Sequence, residues 1–125
     1  MVFVGEMDLE KPKYRVNGSL LASHQGKNVC VIGNAHSQSP DGKSFRLTTS
    51  DGKTVTVHVN HPIQEYVDGL VEVQGQADNQ SNIKCYQYVK FDPESAQDFD
   101  MDNYNKAIEL MHQYPEHYIQ GIKTS

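Results

Sequence analysis

Between Asn28 and Phe91 apolar residues recur mostly at every second position; beyond Asp100 they recur at every third and fourth. Period two belongs to strands and period 3.6 to helices. The run Val29-Cys30-Val31-Ile32 is apolar at both parities, which predicts a strand buried on both sides, and Gly33 inside it predicts a bend or bulge. Ser44 to Thr49 is expected as a second strand with Phe45 and Leu47 inward. Thr54 to Val59 is a third, with Val55, Val57 and Val59 inward. Pro40-Asp41-Gly42 and Ser50-Asp51-Gly52 are turn sequences at the ends of the second strand.

Asn60 to Gly69 breaks the pattern. Pro62 suits a first helical turn, and Ile63, Tyr66 and Val67 share a side at helical spacing, so a short helix is expected. Leu70 to Ala77 and Asn82 to Phe91 follow as the fourth and fifth strands. In the fifth, Ile83, Cys85, Val89 and Phe91 are expected inward, and Lys84, Tyr86, Tyr88 and Lys90 outward. Before the strands, Ser19 is expected to cap a turn carrying Leu20 and Leu21. Residues 1–13 have no clear period and read as a frayed arm in which Phe3 and Val4 dock at most locally. After the strands comes a polar, acidic linker, 92–98.

Asp100 to Pro115 is the clearest helix. Met101, Tyr104, Ala107, Ile108, Leu110, Met111 and Tyr114 fill about half of its wheel at roughly 100° per residue. A helix on a globular core needs a stripe of only about 100°. The excess calls for a second surface, and these seven residues are the candidate partner-binding helix. The tail retains Tyr118, Ile119 and Ile122, enough to dock back.

Three strands, a helical insert and a closing hairpin is the order of the five-stranded Greek-key barrel called the OB-fold. The expected class is therefore all-β with a terminal helix: an arm at 1–14, a barrel at 15–97 and a C-terminal helix and tail at 98–125. At 125 residues one domain is expected.

Composition narrows the function. The net charge of −5 lacks the basic footprint of a free-standing nucleic-acid binder. The opening MVFVGEMDLE has neither a positive region nor a long apolar stretch, so a secretory signal is not expected. Cys30 and Cys85 fall in apolar strands, where a thiol is usually inert. His58 and His61 have no cysteine nearby, and neither Cys-x-x-Cys nor His-Glu-x-x-His occurs. Neither an enzyme, a metal site nor a cofactor is expected. An OB-fold commonly binds single strands on its second and third strands, where Ser44, Arg46, Thr48, Thr54, Thr56 and His58 supply no aromatic. Lys43, Arg46 and Lys53 are candidates for weak phosphate contact. Lys84, Tyr86, Tyr88 and Lys90 form a candidate single-strand platform, although packing of these tyrosines is the commoner outcome.

The chain also resembles the small subunit of replication protein A, the eukaryotic heterotrimeric single-stranded DNA-binding protein. The likeness rests on Arg15-Val16-Asn17 with Leu21-Ala22, on Val29-Cys30-Val31-Ile32-Gly33 and on Pro40 to Phe45. It continues through Gly69 to Gly75, Ile83-Lys84-Cys85, Tyr88 to Phe91, Phe99-Asp100, Tyr104-Asn105, Tyr114-Pro115, Tyr118 and Gly121-Ile122. The resemblance implies an OB-fold whose C-terminal helix joins one helix from each larger subunit in a three-helix bundle. It implies a nuclear scaffold subunit for DNA replication, repair and recombination that adds little DNA affinity itself. Lys84, Tyr86 and Lys90 make strand five more basic and aromatic than that family leads one to expect. The alternatives are the small OB subunit of a telomere-capping complex and an autonomous OB adaptor for protein ligands.

Overall fold

A computed structural model describes residues 2–3, 13–78, 80–114 and 121–122. Along the chain run β1 (Val2–Phe3), β2 (Lys13–Arg15), a 3-10 turn (Leu21–His24), β3 (Asn28–His36), β4 (Ser44–Thr49) and β5 (Thr54–Val59). They are followed by β6 (Gly69–Ala77), β7 (Ile83–Lys90), α1 (Pro93–Asp98), α2 (Met101–Gln113) and β8 (Gly121–Ile122).

The barrel closes on β3. Its residues Asn28 to Ala35 pair antiparallel with β6, and Gly33 to His36 pair antiparallel with β4. β4 pairs with β5 as a hairpin, β5 runs parallel to β7, and β7 returns antiparallel to β6. The circuit β3-β4-β5-β7-β6-β3 is a closed five-stranded Greek-key barrel, the OB-fold. Phe45, Leu47, Val57, Val31, Val73 and Ile83 fill its interior. Closure leaves no open edge along most of these strands. The remaining edge of β3 takes β2 in parallel, with Tyr14 beside Val29 and Arg15 beside Cys30. Cys30 and Ile32 are buried as well as Val29 and Val31, so β3 is covered on both faces.

Gly33 lies where pairing to β4 begins, and a Cβ there would run into the Thr48 carbonyl oxygen. The β-bulge sits elsewhere. Gln74 faces Gln87 but Gly75 faces Cys85, so β7 carries one extra residue, Tyr86. A bulge reverses which face later side chains take.

Several expectations need correction. No helix forms in the insert at 60–68. Ile63 and Val67 are buried, but Tyr66 is 69% exposed. The loop's amides bond sideways, Ile63 N to the Gly42 oxygen and Val67 N to Gln38 Oε1, rather than back along a helix. The 3-10 turn is not capped by Ser19. Asn17 Oδ1 accepts from Leu20 N at 3.1 Å, and Ser19 turns to Asp51. The expected linker contains α1, begun by Asp92 accepting from Ser95 N at 2.7 Å with Pro93 first in the helix. Since α1 buries no side chain, it carries no apolar period. In the N-terminal segment, Val2–Phe3 pairs with Gln87 and Tyr88, and Lys13–Arg15 forms β2. Val4, Pro115, Tyr118 and Ile119 lie outside the described residues.

Candidate assembly face and nucleic-acid face

The helix α2 is positioned from both ends. Asp100 caps it, accepting from Asn103 N at 3.1 Å and Asn103 Nδ2 at 2.8 Å. Phe99 ties it to the barrel, its ring 5.7 Å from Phe91 and 5.4 Å from Tyr104. Arg15 then meets the helix twice. Its Nη1 donates to the Tyr104 hydroxyl at 3.3 Å, and its carbonyl accepts from His112 Nε2 at 2.8 Å. Between these points Asn105 Oδ1 accepts from Asn17 Nδ2 at 3.0 Å and Ser50 Oγ at 2.9 Å, and Ile108 is only 1% exposed.

Arg15 also forms a 3.5 Å ion pair with Glu72, and Cys30 Sγ donates to the same carboxylate at 2.8 Å. Burial works against the Arg15 charge, but Cys30, Tyr104 and Glu72 outweigh it and hold the guanidinium above its ordinary value. Burial pushes the Tyr104 hydroxyl up to about 12, with Arg15 opposing.

The seven apolar helix residues are therefore divided lengthwise. Tyr104 and Ile108 face the barrel, and Met101 and Met111 are half-buried at the boundary. Ala107, Leu110 and Tyr114 are exposed, Leu110 and Tyr114 each at 43%. The spacing 107-110-114 is one continuous helical stripe. Asn105 and His112, on the polar half of the wheel, face the barrel instead. The docked stripe is thus rotated away from the middle of the apolar arc. Sequence reasoning missed Arg15, Asn17 and His112 as docking residues, because their partners lie 88 or more residues away.

On the outer face of β4, β5 and β7, the strand register places Arg46 beside Thr56 and His36, and Lys84 beside His58. Ser44, Arg46, Thr48, Thr54, Thr56 and His58 turn away from the core, and none is aromatic. Lys43 and Lys53 sit at opposite ends of β4, roughly 17–20 Å apart for a strand of that length. The structure does not gather them into one cluster.

The strand-five platform is overturned at Tyr88. The extra residue Tyr86 reverses the alternation, so Tyr88 points inward and is 1% exposed. Its ring packs edge-on against Phe45 at 6.1 Å and its hydroxyl donates to Glu65 Oε2 at 2.8 Å. Burial first, then Glu65, raises the phenol's pKa. Val89, expected inward, is half-buried on the other parity, and Phe91 is half-buried against Phe99. Lys90 is engaged by Glu65 at 3.3 Å and the Tyr66 carbonyl at 3.1 Å. Of the four platform residues, Lys84 is exposed and Tyr86 half-buried.

Among the described residues no group of three or more His, Cys, Asp and Glu is arranged to hold a metal. Burial pushes the Cys85 thiol up to about 12, far from a nucleophile's range.

The fold recurs in solved structures. Replication protein A of U. maydis bound to single-stranded DNA contains a chain superposing with a TM-score of 0.71 at 22% identity, covering 87% of this chain and 97% of that one. A chain of yeast RPA bound to single-stranded DNA gives 0.59 at 19% identity, covering 90% and 100%. The telomere capping protein Ten1 of Saccharomyces pombe gives 0.61 at 11% identity, covering 81% and 98%. The family model described as Replication factor A protein 3 matches residues 7–118. That match spans the barrel and α2, and with it the chain belongs to the replication factor A protein 3 family, the small-subunit family of replication protein A.

Proposed function

We infer that this chain is the assembly subunit of a replication protein A heterotrimer, acting in the nucleus in DNA replication, repair and recombination. The large and middle subunits supply most of the DNA affinity. The observation that carries this reading is the division of α2, with Ile108 1% exposed and Leu110 43% exposed on one helix. Ala107, Leu110 and Tyr114, bordered by Met101 and Met111, form the seam for partner helices. Each large apolar side chain buried there contributes about 1.5–3 kcal/mol. Association costs on the order of 4–15 kcal/mol. One helix pair is therefore marginal and a three-helix bundle is favourable.

Weak DNA binding follows from the outer face. A stacked base is worth about 1–3 kcal/mol, and β4 and β5 offer no aromatic for it. Arg46 and Lys84, with Lys43 and Lys53 further off, supply only a few salt-sensitive phosphate contacts. We also propose that the chain divides as an arm at 1–14, a barrel at 15–97 and a C-terminal helix and tail at 98–125.

Co-expression with the large and middle subunits, followed by size exclusion, tests the reading. A stable ternary complex that Leu110→Asp dissolves is expected. A monomer that ignores both subunits would overturn it. The likeness to Ten1 supports a second reading, the small subunit of a telomere-capping complex. Capture of such a partner in place of the replication subunits would establish that reading instead.

A further inference from the structure

His112 and His24 meet where the C-terminal half of α2 rests on the barrel, their ring centroids 5.1 Å apart and their planes nearly perpendicular. His24 is buried, and its Nδ1 lies 2.8 Å from the Leu20 carbonyl and 3.0 Å from Ser23 Oγ. The carbonyl accepts, so Nδ1 carries its hydrogen in the neutral ring. Tyr14 of β2 packs against the same ring at 5.4 Å, and Lys27 lies over the Tyr14 ring at 5.4 Å. His112 donates through Nε2 to Arg15 O.

We propose that the His24–His112 contact is an acid-sensitive latch that releases the C-terminal half of α2 from the barrel while the barrel stays folded. The inference concerns how this chain holds its own helix and does not rest on the assembly reading.

Cations approach the latch from two elements. Lys27 follows His24 in the same turn, and Arg15 approaches from β2. The Arg15 guanidinium is already committed to Glu72 and Tyr104. β6 packs on this turn and directs Gln76 to it, with Nε2 bonding the Gly26 carbonyl at 3.0 Å. The one carboxylate of β6, Glu72, is held by Arg15 and Cys30. On α2 the carboxylate nearest in sequence to His112 is the exposed Glu109, one turn back. His112, at the C-terminal end of α2, donates to Arg15 O. A proton on His24 is disfavoured. His24 is buried and faces His112 and Lys27, and among the described residues no carboxylate is in contact with it.

Burial foremost, with His112 and Lys27 adding to it, holds His24 below its ordinary value, against the opposing Leu20 hydrogen bond. A lowered folded value means the unfolded or undocked ring binds protons more readily. The latch is therefore intact above the ordinary imidazole range near 6.5 and weakens as pH falls below it.

Amide hydrogen exchange on the full chain tests this between pH 7.5 and pH 5.5, with rates corrected for the intrinsic pH effect. Protection at residues 109–113 is expected to fall relative to β3 and β5 as the pH is lowered. His24→Phe keeps a ring against His112 without the charge and is expected to abolish the difference. His112→Gln keeps a donor for Arg15 O and is expected to reduce it, and it decides the matter if His24→Phe does not fold. Constant protection at 109–113 would overturn the proposal. So would a response unchanged in the foldable variants, or parallel loss from β3 and β5, which would mean global unfolding.

Discussion

The Arg15 guanidinium donates to the Tyr104 hydroxyl at 3.3 Å across a sequence separation of 89 residues. One side chain thereby joins β2 to α2, and through Glu72 to β6. Tyr104→Phe removes the helix contact and leaves the ion pair. A loss of about 1.5–3 kcal/mol in urea unfolding is expected, the range for a bond to a charged group. Arg15→Ala should cost more, because it also leaves Glu72 half-buried with its ion-pair partner gone. Equal costs for the two variants would mean that the Glu72 arm contributes nothing.

The division of α2 predicts that folding and partner binding can be separated by mutation. Ile108→Asp places a charge at a 1%-exposed site and is expected to undock the helix or unfold the chain. Leu110→Asp alters an exposed position and is expected to leave the isolated chain's melting midpoint within about 2 °C, in line with small surface effects. Ile108 is therefore unsuitable for testing partner binding, although the helical wheel alone makes it an equal candidate. Circular dichroism melts of both variants check this. A large loss of stability in Leu110→Asp would place that side chain in the chain's own core.

Tyr88 and Tyr86 should behave oppositely. Tyr88→Ala empties a core position and is expected to cost about 3–5 kcal/mol, as for other large aromatic deletions. Tyr86→Ala, at the half-buried bulge, should cost less. Anisotropy of a labelled oligothymidine at low salt should show weak binding at most. Arg46→Ala and Lys84→Ala together are expected to flatten its salt dependence by about 1.4, from two phosphates at roughly 0.7 each. An unchanged slope would remove the outer face of β4, β5 and β7 as the contact.

Asp51 predicts an acid transition. Burial raises its pKa, but hydrogen bonds from Ser19 Oγ, Thr49 Oγ1 and the Ser19 and Gly18 amides prevail and lower it to about 2. A depressed carboxylate contributes stability above its unfolded value near 3.8, and that stability is lost as pH falls toward 2. After discounting for solvent the contribution is about 1 kcal/mol. Asp51→Asn is expected to lower stability at pH 7 by about that amount and to flatten the curve between pH 4 and pH 2. If wild type and variant run parallel through that window, Asp51 is not the titrating group.

Much of the barrel was legible in sequence. Phe45, Leu47, Val55, Val57 and Val59 alternate because each strand presents one face to one core. Pro40 to Gly42 and Asp51-Gly52 mark their turns, where Gly42 and Gly52 take positive φ. The apolar excess on α2 was legible too, since it depends only on helical spacing. Tertiary structure decided the rest. The bulge at Tyr86 sent Tyr88 inward and dismantled an apparent aromatic platform, because one inserted residue reverses a period of two. Side contacts to Gly42 and Gln38 kept residues 60–68 out of a helix whose spacing looked adequate. Arg15, Asn17, Ser50 and His24 chose which edge of α2 docks and left Leu110 outside. Local sequence determines period and turn; which of two apolar edges is buried depends on partners far along the chain, and only closure of the barrel brings those together.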